Sequence, residues 1–131
     1  QALGIAEGAM NEAIDYTKAR VQFGKPISKF QNTQFVLADM EVGCEAGKLL
    51  IYQAAEKKQN GERYTKEAAI AKLFCSEHAN KTVTKALQAL GGYGYTNDYP
   101  LERMMRDAKI TEIYEGTSEV QRIVISGNMG L

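Results

Sequence analysis

Cysteine, histidine and proline are all scarce here: the 131 residues hold two cysteines, one histidine and two prolines. Cys44 and Cys75 lie far apart and form no C-x-x-C pair. With His78 as the one imidazole, no metal-ligand cluster can be assembled, and no metal is expected. Both thiols read as small apolar fillers on helices. Unpaired cysteines fit a reducing compartment. His78 falls in the polar helical stretch "SEHANK" and is expected at the surface. An excess of one charge is missing too, since 16 basic groups balance 16 acidic ones. A nucleic-acid groove or an anionic membrane surface needs surplus cations, so neither is expected as a partner. No apolar run is long enough to span a bilayer, and no signal peptide opens the chain. The first residues, "QALGIAEGAMNEA", begin inside a helical pattern without initiator Met or cap, which reads as a piece of a larger protein.

What is present is helical periodicity. Apolar residues make up 44% of the chain, enough for the core of one compact domain. A first helix is expected from the start to about Phe23, with Ile5, Ala9, Ala13 and Tyr16 on one stripe. Arg20, Gly24 and Pro26 are its stop signals. Ser28 with Gln31 has capping-box spacing before a long second helix to about Gln59. The inner stripe of that helix carries Leu37, Met40, Cys44, Gly47 and Ile51. Thr65 can cap a third helix, whose later turns put Ala79, Val83, Ala86, Leu87 and Leu90 on one face. The loop "GGYGYTNDYP" follows, and Pro100 can start a short fourth helix through about Lys109. After a joint at Glu115, Thr117 or Ser118 can cap a last helix, Ser118 pairing with Gln121. No strand-length alternation appears, nor any repeat or linker. The expected fold is all-α, an up-down four-helix bundle whose fourth helix is built in two pieces.

Several residues could carry chemistry, each with a plain role beside the sharper one. Gly92 and Gly94 make only half of a dinucleotide fingerprint, and they follow a helix rather than a strand. Gly91 and Gly92 either end a helix or allow close approach by a ligand. Arg20 either complements a helix dipole or pairs with a ligand anion. Gln31 is a capping partner or a ligand donor. Glu102, Arg106 and Asp107 look like structural ion pairs. Glu115 is either a solvated loop acid or a base. Its large neighbours Ile113 and Tyr114 are expected to lower the local dielectric, which raises a carboxylate toward the range of a general base.

Three stretches together resemble the acyl-CoA dehydrogenases, specifically their carboxyl-terminal helical domain: "ARVQFGKPISKFQ", "QALGGYGYTNDYPLERMMRDAKI" and "IYEGTSEVQR". The resemblance spans essentially the whole chain and lies nearest the short-chain, butyryl-CoA type. It implies FAD-dependent α,β-desaturation of an acyl-CoA in β-oxidation of fatty acids. Glu115 would take the α-proton, and the β-hydrogen would leave as hydride to the flavin. The base's own N–H and a flavin ribityl hydroxyl would hold the thioester oxygen. Gly116 matches a substrate contact. Arg20, Gln22, Phe23 and Gln31 match the FAD segment. Gln88, Ala89, Leu90, Gly91 and Gly92 match a turn that reaches a neighbouring subunit's FAD. Thr117, Ser118 and Glu119 match contacts to the FAD of their own subunit.

By the same resemblance the chain is one bundle domain, residues 1–131, preceded in the family by a helical and a β-domain. Alone it is expected to bind FAD weakly and to show no turnover. Implied partners are acyl-CoA, an electron-transferring flavoprotein and further copies of the chain, as dimer or tetramer. The implied location is the cytoplasm of a bacterium or the mitochondrial matrix of a eukaryote. An acyl-CoA oxidase of similar fold and a non-catalytic helical assembly module are the competing readings. The intact "YEGTSE" argues against the second.

Overall fold

The computed structural model describes residues 1–131. Three long helices, α1 (Ala2–Ala19), α2 (Gln31–Gln59) and α3 (Thr65–Leu90), precede two short ones, α4 (Leu101–Ile110) and α5 (Ser118–Gly127). Central α3 packs against all four other helices, and α1 also touches α2 and α4. The expected bundle is observed, its fourth helix split at the Glu115 joint.

Small residues at helical spacing explain the packing. α1 buries Ala6, Ala9, Met10, Ala13 and Thr17, one stripe three or four residues apart. α3 answers with Ala79, Val83, Ala86 and Leu90. Six of the twelve core residues are alanine, which lets helix axes approach closely but buries little area per residue. Met40 and Leu101 are therefore the largest fully buried anchors. α2 gives less of itself to the core, burying only Met40, Gly43, Cys44 and Gly47, while Ile51 stays partly open. Its outer side leaves Phe35, Val42, Leu49 and Tyr52 between 60% and 70% exposed.

Several local expectations need correction. α1 ends at Ala19, not Phe23, because Val21–Gln22 pairs with Lys25–Pro26 in a two-residue antiparallel hairpin. Phe23 and Gly24 form its loop with φ of 52° and 76°, both positive as a type I′ turn requires. Ser28 lies in a 3-10 turn, Ile27–Lys29, and Phe30 takes the N-cap of α2, so the Ser28–Gln31 box does not form. Tyr64, not Thr65, precedes α3. Ser118 is the first residue of α5 rather than its cap; Thr117 caps it, accepting from Val120 N at 3.4 Å. Glu102 and Arg106 pair at 3.2 Å as expected, whereas Asp107 forms no ion pair.

His78 is not a surface residue. It is half-buried between α2 and α3, with Nε2 3.2 Å from Met40 O and 3.0 Å from Thr82 Oγ1. Phe74 stacks on its ring at 5.8 Å. Gly43 makes the notch, since a Cβ there would lie 1.9 Å from the imidazole. Burial lowers the His78 pKa, with Met40's carbonyl opposing. Both cysteines are buried as expected, and burial pushes the Cys44 thiol up to about 11.

Candidate active site

The joint between α4 and α5 is built around its carbonyls. Ile113 and Tyr114 donate their N–H groups to Ile110 O at 3.0 and 3.1 Å, closing α4. The chain then takes two left-handed residues in succession, Glu115 (φ 54°) and Gly116 (φ 87°). For a residue with a side chain that conformation costs roughly 1–2 kcal/mol, so the surroundings must enforce it. Gln121 Nε2 donates to both the Glu115 and Gly116 carbonyls at 3.1 Å. Lys72 Nζ, reaching from α3, donates to the Gly116 carbonyl at 2.7 Å. The N–H groups of Glu115, Gly116 and Thr117 donate to nothing in the chain. Acceptors at this joint are satisfied internally and donors are left free.

Glu115 borders a hollow of about 370 Å³, with Ala71, Lys72, Thr111 and Tyr114, closed by Gln1 and Leu3 at the start of α1. Tyr114 hydroxyl bonds the Gln1 side chain across its rim. Glu115 is exposed, and so are Ile113 at 51% and Tyr114 at 38%. The expected desolvation by these neighbours is therefore not supplied within this chain. Gly116 does not line the hollow; a Cβ there would meet Gln121 Nε2 at 2.7 Å. Burial lowers the Lys72 pKa, with Glu112 and Glu119 opposing.

A second hollow of about 500 Å³ gathers Arg20, Gln22 and residues Gln88 to Gly92 against Tyr16 and Tyr93. Arg20 caps α1, and its guanidinium lies 5.8 Å from the Tyr93 ring centre. Tyr16 meets Tyr99 edge-on at 5.5 Å, which fixes this aromatic wall. Leu90 is buried beneath the turn, while Gly91 (φ 61°) and Gly92 face open space. Gly94 is the packed glycine of the turn, since a Cβ there would lie 2.6 Å from Leu87 O.

The remaining residues stand apart from both hollows. Phe23 is 91% exposed at the hairpin tip, its ring edge-on to Phe30. Gln31 opens α2 and is exposed. At the start of α5, Ser118 is buried and its hydroxyl has no partner. Glu119 accepts from its own backbone N–H and from the Thr117 hydroxyl, which lowers its pKa. The two hollows share no lining residue, so one chain does not bring Glu115 beside the 88–92 turn.

Lys72 and Gln121 escaped the reading of the sequence. Lys72 carried a legible signal: it sits on the buried stripe of α3, between Ala69 and the pair Cys75 and Ser76. A cation on an apolar stripe needs a partner. Gln121 was hidden by its fit to a capping box.

A helical bundle that holds an acid on a strained joint, and a bare glycine turn beside a cation, defines the class. Residues 1–130 match the family described as acyl-CoA dehydrogenase, C-terminal domain, and the chain belongs to that family. It is 60% identical over 129 residues to the short-chain specific acyl-CoA dehydrogenase of Clostridium acetobutylicum, covering 98% of this chain and 34% of that protein. The structure of butyryl-CoA dehydrogenase from Megasphaera elsdenii superposes with a TM-score of 0.97 at 55% identity, over 99% of this chain and 34% of that one. A chain in a structure described as the electron transferring flavoprotein of Acidaminococcus fermentans matches at 55% identity and a TM-score of 0.96, covering 98% of this chain and 34% of that one. The chain thus spans about a third of the length of the relatives it matches.

Proposed function

We propose that this chain is the helical, base-carrying domain of an FAD-dependent enzyme that desaturates a short acyl-CoA between its α and β carbons. The observation that carries the reading is Glu115 itself, a charged residue in a left-handed conformation at the edge of a hollow, with its own N–H free. Its carboxylate takes the α-proton. Its backbone N–H donates to the thioester oxygen, where negative charge gathers as that proton leaves. FAD, when bound, supplies the acceptor for the β-hydride. The residues present fit such a group: Arg20 offers a cation beside the Tyr93 ring for a pyrophosphate, and Gly91 and Gly92 leave a cradle that side chains would fill. By the resemblance, Gln22, Phe23 and Gln31, with Thr117, Ser118 and Glu119, approach that cofactor and Gly116 approaches substrate only once protein beyond this chain completes the pocket. Apart from Gln22, none of them lines either hollow here.

The rest of the pocket comes from protein beyond this chain, which alone binds FAD weakly and does not turn over. Dye-coupled oxidation of butyryl-CoA by the chain alone, at a whole enzyme's rate, would contradict this. Copies of the chain assemble as a dimer or tetramer. Phe35, Val42 and Leu49 repeat at seven-residue spacing on the open side of α2 and suit a helix–helix contact. Electrons pass to an electron-transferring flavoprotein rather than to oxygen, an assignment that the Acidaminococcus match supports. Bacterial relatives support the cytoplasm as its location, and no helix of the chain is long and apolar enough to cross a membrane.

The test is the flavin spectrum of the full-length protein under anaerobic conditions. Butyryl-CoA is expected to bleach the flavin, octanoyl-CoA less so and palmitoyl-CoA not at all. Glu115→Gln keeps flavin bound and slows bleaching by at least roughly 10²–10⁴-fold, the contribution of a general base. Bleaching by Glu115→Gln at the wild-type rate would remove the mechanism.

A further inference from the structure

Two side chains with no assigned role act on one peptide turn. The Gly116 carbonyl accepts from Lys72 Nζ at 2.7 Å and from Gln121 Nε2 at 3.1 Å, so α3 and α5 grip it from two sides. The same Gln121 nitrogen donates to the Glu115 carbonyl at 3.1 Å. We propose that Lys72 and Gln121 are positioning residues: they clasp the carbonyls of the Glu115–Gly116 turn and so aim the Glu115 carboxylate and its N–H into the hollow. This rests on Glu115 being the base.

The polarity of the turn carries the argument. Peptide units have a carbonyl on one edge and an N–H on the other, so fixing the first fixes the second. Rotation of the Glu115–Gly116 peptide would break the bond to Gln121 and replace a free donor with an acceptor. The clasp opposes that rotation and keeps the N–H groups of Gly116 and Thr117 free. The Glu115 N–H, on the preceding peptide, is held through the left-handed Glu115 backbone that the clasp pins from its carbonyl side. Lys72 is available for this one task, because it forms no ion pair and its single hydrogen bond goes to Gly116. Gly116 completes the device: a methyl group there would strike Gln121 Nε2. Left-handed residues without such support relax, and a base displaced by an ångström loses much of its rate.

The experiment compares Lys72→Met, Gln121→Glu, Lys72→Arg and Glu115→Gln in the full-length enzyme. Butyryl-CoA and its α-deuterated form are the substrates. Lys72→Met and Gln121→Glu remove donors with little change in shape. Each is expected to lower kcat by about 10²-fold, the scale of a misplaced catalytic group, with KM and flavin content near wild type. The isotope effect on kcat rises as proton removal becomes limiting, and Lys72→Arg recovers most of the loss. A purely structural role predicts lower melting temperature and flavin content with an unchanged isotope effect, and that result overturns the proposal. So does wild-type kcat in both donor variants beside an inactive Glu115→Gln, which leaves the base standing without its clasp. An active Glu115→Gln removes the base assignment and the clasp with it.

Discussion

The two hollows are made by opposite means. At the 88–92 turn the chain withholds side chains, so Gly91 and Gly92 present bare backbone to open space beside Arg20. At the joint it keeps the side chain of Glu115 where a glycine would be easier, and enlists Lys72 and Gln121 to hold it. A surface for a large ligand is made by clearing space. A group that must meet one atom is made by over-determining a single conformation. The first arrangement tolerates small errors and the second does not.

Substitutions at glycine separate these cases most sharply. Gly116→Ala combines a left-handed residue with a collision against Gln121. It is expected to cost about 2–4 kcal/mol in urea unfolding, as strain plus overpacking. Gly94→Ala, pressed on the Leu87 carbonyl, is expected to cost about 1–3 kcal/mol by the same measurement. Glu115→Asn works in the other direction. Asparagine accepts the left-handed region more readily, so this variant gains about 0.5–1 kcal/mol of stability while losing turnover. Gly92→Ala is the smallest in stability, within about 0.5 kcal/mol of wild type, because its new methyl meets nothing in the chain. Its effect appears instead in flavin retention by the full-length protein, measured by dilution and spectrum. Equal destabilisation by Gly92→Ala and Gly94→Ala would erase the distinction between cleared and packed glycines.

The bundle was legible because its signals are local. Periodic alanines, few prolines and clear stops mark helices without reference to anything distant. The hairpin at Val21–Pro26 was not legible, because its turn needs a left-handed Phe23, and a phenylalanine there gives no advance sign. Both expected capping boxes had the right letters in the wrong place: each serine lies off the N-cap, and Gln121 was already committed to the joint. His78 was misread for a non-local reason, a notch supplied by Gly43 on the facing helix. The sites divide in the same way. Arg20 and the 88–92 turn each had a plain role of their own and became cofactor candidates only through the family resemblance; the structure brings them together in one hollow. The expected dry setting for Glu115 failed, since adjacent bulk in sequence did not become cover in space. Lys72 showed locally that it needed a partner, being a cation on a buried stripe, but which partner was not legible, because the Gly116 carbonyl lies 44 residues away in the chain.

The most direct test follows the α-proton itself. Full-length enzyme and butyryl-CoA are held in deuterium oxide without an electron acceptor, and deuterium at the α-carbon is read by NMR. Wild-type enzyme is expected to wash deuterium into that position, and Glu115→Gln is expected to leave it protonated. Equal exchange by the two would show that some other group removes the proton.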